Sequence, residues 1–362
     1  MDNNYKIIHC ADIHLGSKLE TSLTKAKAKV RRQEVFSSFT RMVKYAVDNR
    51  INIILIAGDL FDFENTSEDI KKVFDVISTN EEINFYYVKG NHDENPSLEN
   101  KPNNLYTFSS ELTSYRINDL VISGIEQDNV EFYNNLKLNK DDFNILLLHA
   151  NVISGNSSKA EDIDLKSLKD KNIDYLALGH IHSFNKYEID SRGLACYSGC
   201  LEGRGYDECG EKGFVVLEIN DKKIKNLQFI CNSERQLLTV EIDITGVIDV
   251  FNYVLDKVKD INRNYMVKVI LVGDYTVDTI KDVPSIEMKL KDEFFSSKVY
   301  DESKFKVDYN TYINDVSLKG EFVRMVANDT SLTEEEKEKI NYYGIKALCK
   351  EEIKWLSKKL VY

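Results

Sequence analysis

The stretch from Ile53 to Asp62, IILIAGDLFD, constrains this chain more than any other. It begins as a continuous apolar run, the pattern of a strand buried on both faces, and breaks at Gly58-Asp59. A carboxylate therefore stands where a buried strand ends. Four other apolar runs end the same way. KIIHCADIH brings Asp12 and His14, INFYYVKGNHD brings Asn91, His92 and Asp93, NILLLH brings His149, and IDYLALGHIH brings His180 and His182. In an open α/β sheet the carboxyl ends of the strands line the ligand crevice, so strand ends carrying one kind of side chain predict one site.

The chain has six histidines in 362 residues, and all but His9 stand at those ends. Carboxylate, imidazole and amide oxygen together suit divalent transition ions such as Mn, Fe or Zn, whereas thiolate-rich sets suit structural zinc and all-oxygen sets suit Mg or Ca. About eight ligands, counting Asp59 twice, are too many for one ion, and two ions roughly 3.5–4 Å apart are a device for in-line displacement at phosphorus.

Asp12-x-His14, Gly58-Asp59, Gly90-Asn91-His92-Asp93, His149 and Gly179-His180-x-His182 resemble the five ordered motifs of the calcineurin-like metallophosphoesterases. Within that superfamily, His14-Leu15-Gly16, GDLFD and YSGCLEGRGYDECGEKG are similar to the SbcD-type DNA repair nucleases, most closely their YhaO branch. The resemblance spans roughly the first 213 residues and rests on five motifs in order rather than on any one dipeptide. Two departures bear on substrate fit: no proline follows GDLFD, and Cys200 and Leu201 stand where the family more often has a small or polar residue and proline.

The resemblance implies that Asp12, His14, Asp59 and His182 hold one ion and that Asp59, Asn91, His149 and His180 hold the other. Two divalent ions are thus expected, manganese first, with iron or zinc as alternatives. His92 is implied as the general acid that protonates the leaving oxygen, with Asp62 orienting it. His9 faces away from Cys10 on its strand and is expected in the core or behind the ligands. Arg204, in GRGYDE, is a candidate phosphate contact.

A net charge of −12 and a pI near 5.2 argue against a protein that grips nucleic acid through its overall field. Any DNA affinity must be local or borrowed. TKAKAKVRR is the local candidate, with Lys27, Lys29, Arg31 and Arg32 as its substrate contacts; the plain alternative is a solvated helix end. With 42 % hydrophobic and 30 % charged residues, the composition is that of a soluble chain. No apolar run approaches a membrane span and MDNNYKIIHCAD lacks signal-peptide character, so a cytoplasmic protein with no membrane partner is expected. The cysteines show no CxxC pairing and read as reduced thiols.

Alternating strands and helices over residues 1–232, with helices expected at Val30–Asn49 and Thr66–Thr79, predict an α/β catalytic domain. The family resemblance implies that it forms two packed mixed β-sheets flanked by helices, a four-layer sandwich. Polar CNSERQ marks a boundary, and residues 237–310 read as a smaller α+β accessory domain with helices at Val247–Ile261 and Pro284–Phe295. Residues 311–362 read as a helical segment with a Thr333/Glu336 capping box and an apolar stripe of Ile353, Leu356 and Leu360 around Trp355. Leu105–Phe108 fits helix or strand equally.

The expected function is a two-metal phosphodiester hydrolase, a DNA exo- or endonuclease subunit in DNA repair. No GxxxxGK[ST] is present, so the SbcC-like, SMC-like ATPase that the resemblance implies would be a separate partner; a homodimer is also open. The alternative is a small-molecule metallophosphoesterase acting on a cyclic nucleotide or phosphomonoester, because the site chemistry is shared.

Overall fold

The computed structural model describes residues 4–19, 23–93, 100–126, 135–153, 155, 162–276, 278–306 and 312–348. The chain divides into two compact units, Met1–Leu238 and Thr239–Tyr362. In the first, strands β1 (Asn4–Cys10), β2 (Ile53–Ala57), β3 (Asn84–Val88), β4 (Leu105–Thr107), β5 (Thr113–Ile117), β6 (Leu120–Gly124) and β7 (Phe143–His149) are followed by a short ribbon, β8 (Asn151–Ile153) with β9 (Asp162–Asp164). Then come β10 (Tyr175–Gly179), β11 (Asn185–Glu188), β12 (Leu194–Tyr197), β13 (Gly213–Asn220) and β14 (Lys223–Cys231).

They build two six-stranded mixed sheets, ordered β14-β13-β1-β2-β3-β4 and β11-β12-β10-β7-β6-β5. Strands β1 to β4 run parallel, as do β6, β7, β10 and β12, while the outer hairpins are antiparallel. This is the expected α/β pair of mixed sheets.

Alternation along each strand explains the layers. Ile7, Leu55, Val88, Leu147, Ala177 and Leu217 form the core between the sheets, while Ile8, Cys10, Ile54, Ile56, Phe85 and Tyr87 face helices α1 (Lys25–Asp48) and α2 (Ser67–Thr79). Each such large side chain taken fully out of water contributes about 1.5–3 kcal/mol before entropy is counted. Helix α1 starts five residues earlier than its apolar periodicity suggested. The Thr24 hydroxyl caps it by accepting from the Lys27 amide, and a lysine-rich first turn carries no hydrophobic signal. Thr66 and Asp69 close a capping box on α2. Leu105–Thr107 resolves as strand, paired parallel with β3.

Apart from the first two residues of β15, which belong to the first unit, the second unit holds β15 (Leu237–Asp243), β16 (Met266–Val272) and β18 (Ser296–Asp301) in one sheet, and β17 (Asp274–Tyr275) paired with β19 (Lys304–Phe305). Helix α3 (Val250–Val258) is shorter than its apolar pattern because Asp249 caps it from inside that pattern, whereas α4 (Val283–Glu293), capped by Asp282, starts one residue before its pattern and stops two residues short of its end. Helices α5 (Leu318–Asn328) and α6 (Glu334–Leu348) share this unit's core: Val323 and Ile345 belong to the cluster of Val254, Val267 and Leu290. Thr333 and Glu336 form the expected capping box. The stripe of Ile353, Trp355, Leu356 and Leu360 lies outside the described residues. No described helix is long and apolar enough to cross a membrane.

Candidate metal centre

Because β1, β2 and β3 are parallel, as are β7 and β10, their carboxyl ends meet at one edge of the packed sheets. The chain leaves those ends sharply. Asp12, His14, Asp59 and His180 all have positive φ, between 50° and 96°, where side chains other than glycine are strained. Strain of this kind persists only where surrounding bonds hold it. Here the Asp12 amide donates to the Gly58 carbonyl at 3.1 Å, the His14 amide to Asp59 at 2.9 Å and the Leu15 amide to Leu60 at 3.0 Å, so the first two loops run as a continued ladder.

Close approach demands glycine at two points. A Cβ at Gly58, φ +86°, would lie 2.1 Å from His149 Nδ1, and one at Gly90 would lie 2.2 Å from an Asp59 carboxylate oxygen. Asp93, buried beneath the loops, accepts from the Leu60, Phe61 and Gly90 amides at 3.3, 2.8 and 2.9 Å and so ties the end of β2 to the end of β3. Burial pushes its carboxyl up to about 7 against the Gly90 and Phe61 donors.

The structure brings Asp12, His14 and His182 together, Asp12, Asp59 and His149 together, and His14, Asp59 and His92 together, with the donor atoms of each trio within 4.8 Å of one another. Asn91 joins through His149, its Oδ1 2.9 Å from Nε2. His180 places its ring 5.4 Å from that of His149, and its amide donates to both Asp12 oxygens at 2.9 and 3.1 Å. Five of the seven residues singled out as ligands, Asp12, His14, Asp59, His149 and His182, thus fall in these clusters, and Asn91 and His180 lie against His149.

The donor set fits a cation. His149 Nδ1 lies 2.9 Å from the Ala57 carbonyl, which only accepts, so the ring proton is there and Nε2 turns a lone pair toward the Asn91 oxygen and toward Asp59 at 3.5 Å. In the same way His182 Nδ1 sits 2.7 Å from Glu208 Oε1, leaving Nε2 to face His14 Nε2 at 3.3 Å. Acceptors facing acceptors at these distances are reconciled by a shared positive ion. Burial raises the Asp12 carboxyl, and burial together with the Arg204 charge lowers the His14 ring, so the metal-free site disfavours both charged forms.

His92 keeps Nδ1 buried without a hydrogen-bond partner, 3.6 Å from Asp62 Oδ1, and its ring lies 4.3 Å from that of Phe63. Asp62 is thus beside His92 but bonds elsewhere: it accepts from the Ser17 hydroxyl, from the Phe63 amide at 2.8 Å and from Arg204 Nη1 at 3.3 Å. His9 is buried between the sheets with Nδ1 2.9 Å from the Tyr175 hydroxyl, and burial lowers its pKa to about 3, as befits a core residue.

Two findings revise the sequence reading. Arg31 is fully buried and binds Glu34, Glu202 and the Gly203 carbonyl, so it cannot reach a nucleic acid; helical periodicity points it inward, unlike its neighbours. Lys29 is exposed, Lys27 and Arg32 are half-buried, and Arg32 Nη1 donates to the Lys18 carbonyl at 2.5 Å. Glu208 was not singled out at all, because a lone acid in a turn-like YDECG carries no ligand signal. Burial raises the Glu208 pKa, but the His182 and Arg204 contacts outweigh it and hold it at about 2. For His182 burial works against the charged ring, yet Glu208 and Asp12 prevail and raise its pKa.

Residues 5–184 match the calcineurin-like phosphoesterase family. The chain is 37 % identical over 102 residues to the DNA double-strand break repair protein Mre11 of Methanosarcina mazei, a match covering 27 % of this chain and 16 % of that one. It is 22 % identical over 329 residues to Mre11 of Sulfolobus acidocaldarius, covering 82 % of each. It is 27 % identical over 239 residues to the metallophosphoesterase YhaO of Bacillus subtilis, covering 60 % and 58 %. The chain thus spans well under two thirds of the M. mazei and B. subtilis relatives' lengths. The clustered donors and the family match agree: residues 5–184 of the chain belong to the calcineurin-like phosphoesterase family, and the donor set of that domain suits metal-dependent chemistry.

Proposed function

We propose that the chain is a two-metal phosphodiester hydrolase acting on DNA, a nuclease subunit that works in repair with a separate SMC-like ATPase. The observation that carries the hydrolase is the convergence of Asp12, His14, Asp59, Asn91, His149 and His182, with lone pairs facing one another at His14–His182 and His149–Asn91. Asp12, His14, Asp59 and His182 would hold one ion and Asp59, Asn91, His149 and His180 the other, with manganese the first choice. Bound there, the ions would supply Lewis-acid polarisation of phosphate oxygens and lower the pKa of an attacking water. Asp59, which accepts the His92 amide at 2.8 Å, positions the acid as well as the metals. His92, with Nδ1 turned inward toward Asp62, delivers a proton from Nε2 to the leaving oxygen.

DNA as substrate is supported by relatives whose names assign them to double-strand break repair. It is also supported by lysines 25, 27 and 29 in the first turns of α1, whose own first turn contains no acidic residue. The net charge of −12 favours the second reading, a small phosphoester that needs no extended anionic groove. Manganese-loaded protein assayed on a labelled duplex, a labelled single strand and bis-nitrophenyl phosphate separates the two. Cleavage of the ester with no cut in either DNA would discard the nuclease; no turnover of any of the three would discard the hydrolase.

A further inference from the structure

The geometry points to Glu208 as the positioning residue of this site: it aims His182 and joins it, through Arg204, to the side where Asp62 and His92 lie. This rests on the two-metal reading above and assigns a role that the ligand set does not contain. Glu208 is 8 % exposed. Its Oε1 accepts from His182 Nδ1 at 2.7 Å and from Arg204 Nε and Nη2 at 3.2 and 3.0 Å, and its Oε2 accepts the Arg204 amide at 2.8 Å.

Each contact removes a different freedom. A neutral imidazole has one N–H, and donating it from Nδ1 to a carboxylate leaves the lone pair on Nε2. That Nε2 is the atom that faces His14 Nε2 at 3.3 Å and Asp12 Oδ1 at 3.8 Å. The His182 side chain is 25 % exposed, so packing alone does not choose its tautomer or ring angle. An acidic partner behind a ligating histidine fixes both and raises the basicity of the free nitrogen.

The second contact carries the effect across the site. The Arg204 guanidinium lies on Glu208 and reaches Asp62 Oδ2 at 3.3 Å, and Asp62 lies 3.6 Å from His92 Nδ1. A ligand-type histidine at the end of β10 is thereby joined, through Glu208, Arg204 and Asp62, to a histidine at the end of β3 in the other sheet. Lys212, itself buried, pins the same segment by donating to the His182 carbonyl at 2.6 Å. If Glu208 served only as the counter-ion of Arg204, His182 would not depend on it.

The full chain decides between these. In metal-free protein carrying ¹⁵N-labelled histidine, above the pH at which the rings titrate, long-range ¹H–¹⁵N spectra report each tautomer, with His182 assigned from H182Q. Wild type and E208Q, which keeps an oxygen acceptor, should show Nδ1–H at His182; E208A should shift toward Nε2–H. Manganese titration read by the free-ion EPR signal should then find one of two ions weakened about 10–100-fold in E208A and the other unchanged. H182Q/E208A should be no weaker than H182Q alone, because both remove one interaction. An unchanged His182 tautomer with wild-type affinities in folded E208A would overturn the assignment, as would additive losses in the double variant. Should E208A not fold, E208Q and R204M carry the test: both keep the His182 contact, and Nε2–H at His182 in either overturns it. Wild type binding fewer than two ions while His182 remains Nδ1–H would refute the two-metal reading and leave the orientation by Glu208 standing.

Discussion

Replacing Arg31 with methionine should unfold the catalytic unit early and leave DNA affinity untouched. Its guanidinium has no exposed surface and binds Glu34, Glu202 (2.9 Å, side chain also fully buried) and the Gly203 carbonyl. Removing one partner of such a pair strands the other's charge, typically at 3–5 kcal/mol. The structure places this case at the low end. Glu34 keeps Arg235, and Glu202 keeps the Glu234 and Arg235 amides at 2.7 and 3.2 Å, so a cost of about 3 kcal/mol is expected near pH 8. For a unit of this size that is roughly a 6–12 °C fall in Tm.

The pH dependence has a definite sign. Burial already raises the Glu202 pKa, with Arg31 the chief opposing charge, and losing Arg31 raises it further. A raised folded pKa gives stability that is present below the unfolded value and lost as pH climbs through the folded one. The penalty of R31M should therefore shrink on acidification toward pH 4 and be largest above neutrality. Urea midpoints at several pH values, beside duplex binding at two salt concentrations, check this. A loss under about 1 kcal/mol at pH 8, a penalty that grows in acid, or a flattened salt slope with intact stability would each refute the buried-pair reasoning.

Asp59→Ala should empty both metal positions, measured as metal per chain by elemental analysis, since one carboxylate serves both; an unchanged stoichiometry would contradict the bridge. His92→Ala should retain its metal and lose about 10²–10⁴-fold in turnover on DNA, with a smaller loss on a nitrophenyl ester whose leaving group needs no proton; equal losses on both would count against the acid. Exchanging Lys25, Lys27 and Lys29 for glutamate should weaken duplex binding and flatten its dependence on salt, as fewer counterions are released. A slope equal to wild type would make the run a solvated helix end.

The strand ends were legible because burial on both faces leaves a run of Ile, Leu, Val and Tyr that stops abruptly, and because imidazole is rare elsewhere in the chain. Which strand pairs with which was not. The partners of β1 are β2 and β13, and nothing in KIIHC says that GFVVLEI, two hundred residues on, returns beside it. Glu208 was silent for a related reason: its meaning comes from His182, twenty-six residues away, and not from its own neighbours. Arg31 misled because a run of basic residues hides which one the helix turns inward. Asp62 lies 3.6 Å from His92 Nδ1, and its competing bonds to Ser17 and Arg204 depend on loops that only the fold brings together.

The left-handed backbone at Asp12, His14, Asp59 and His180 has an evolutionary reading. Each such residue costs on the order of 1 kcal/mol that the scaffold must absorb, and so do carboxylates and imidazoles crowded in a buried edge. Glycine or asparagine at these positions would relax the chain while abolishing the chemistry. A lineage released from selection for hydrolysis should therefore drift first at these loops and gain thermal stability as it decays.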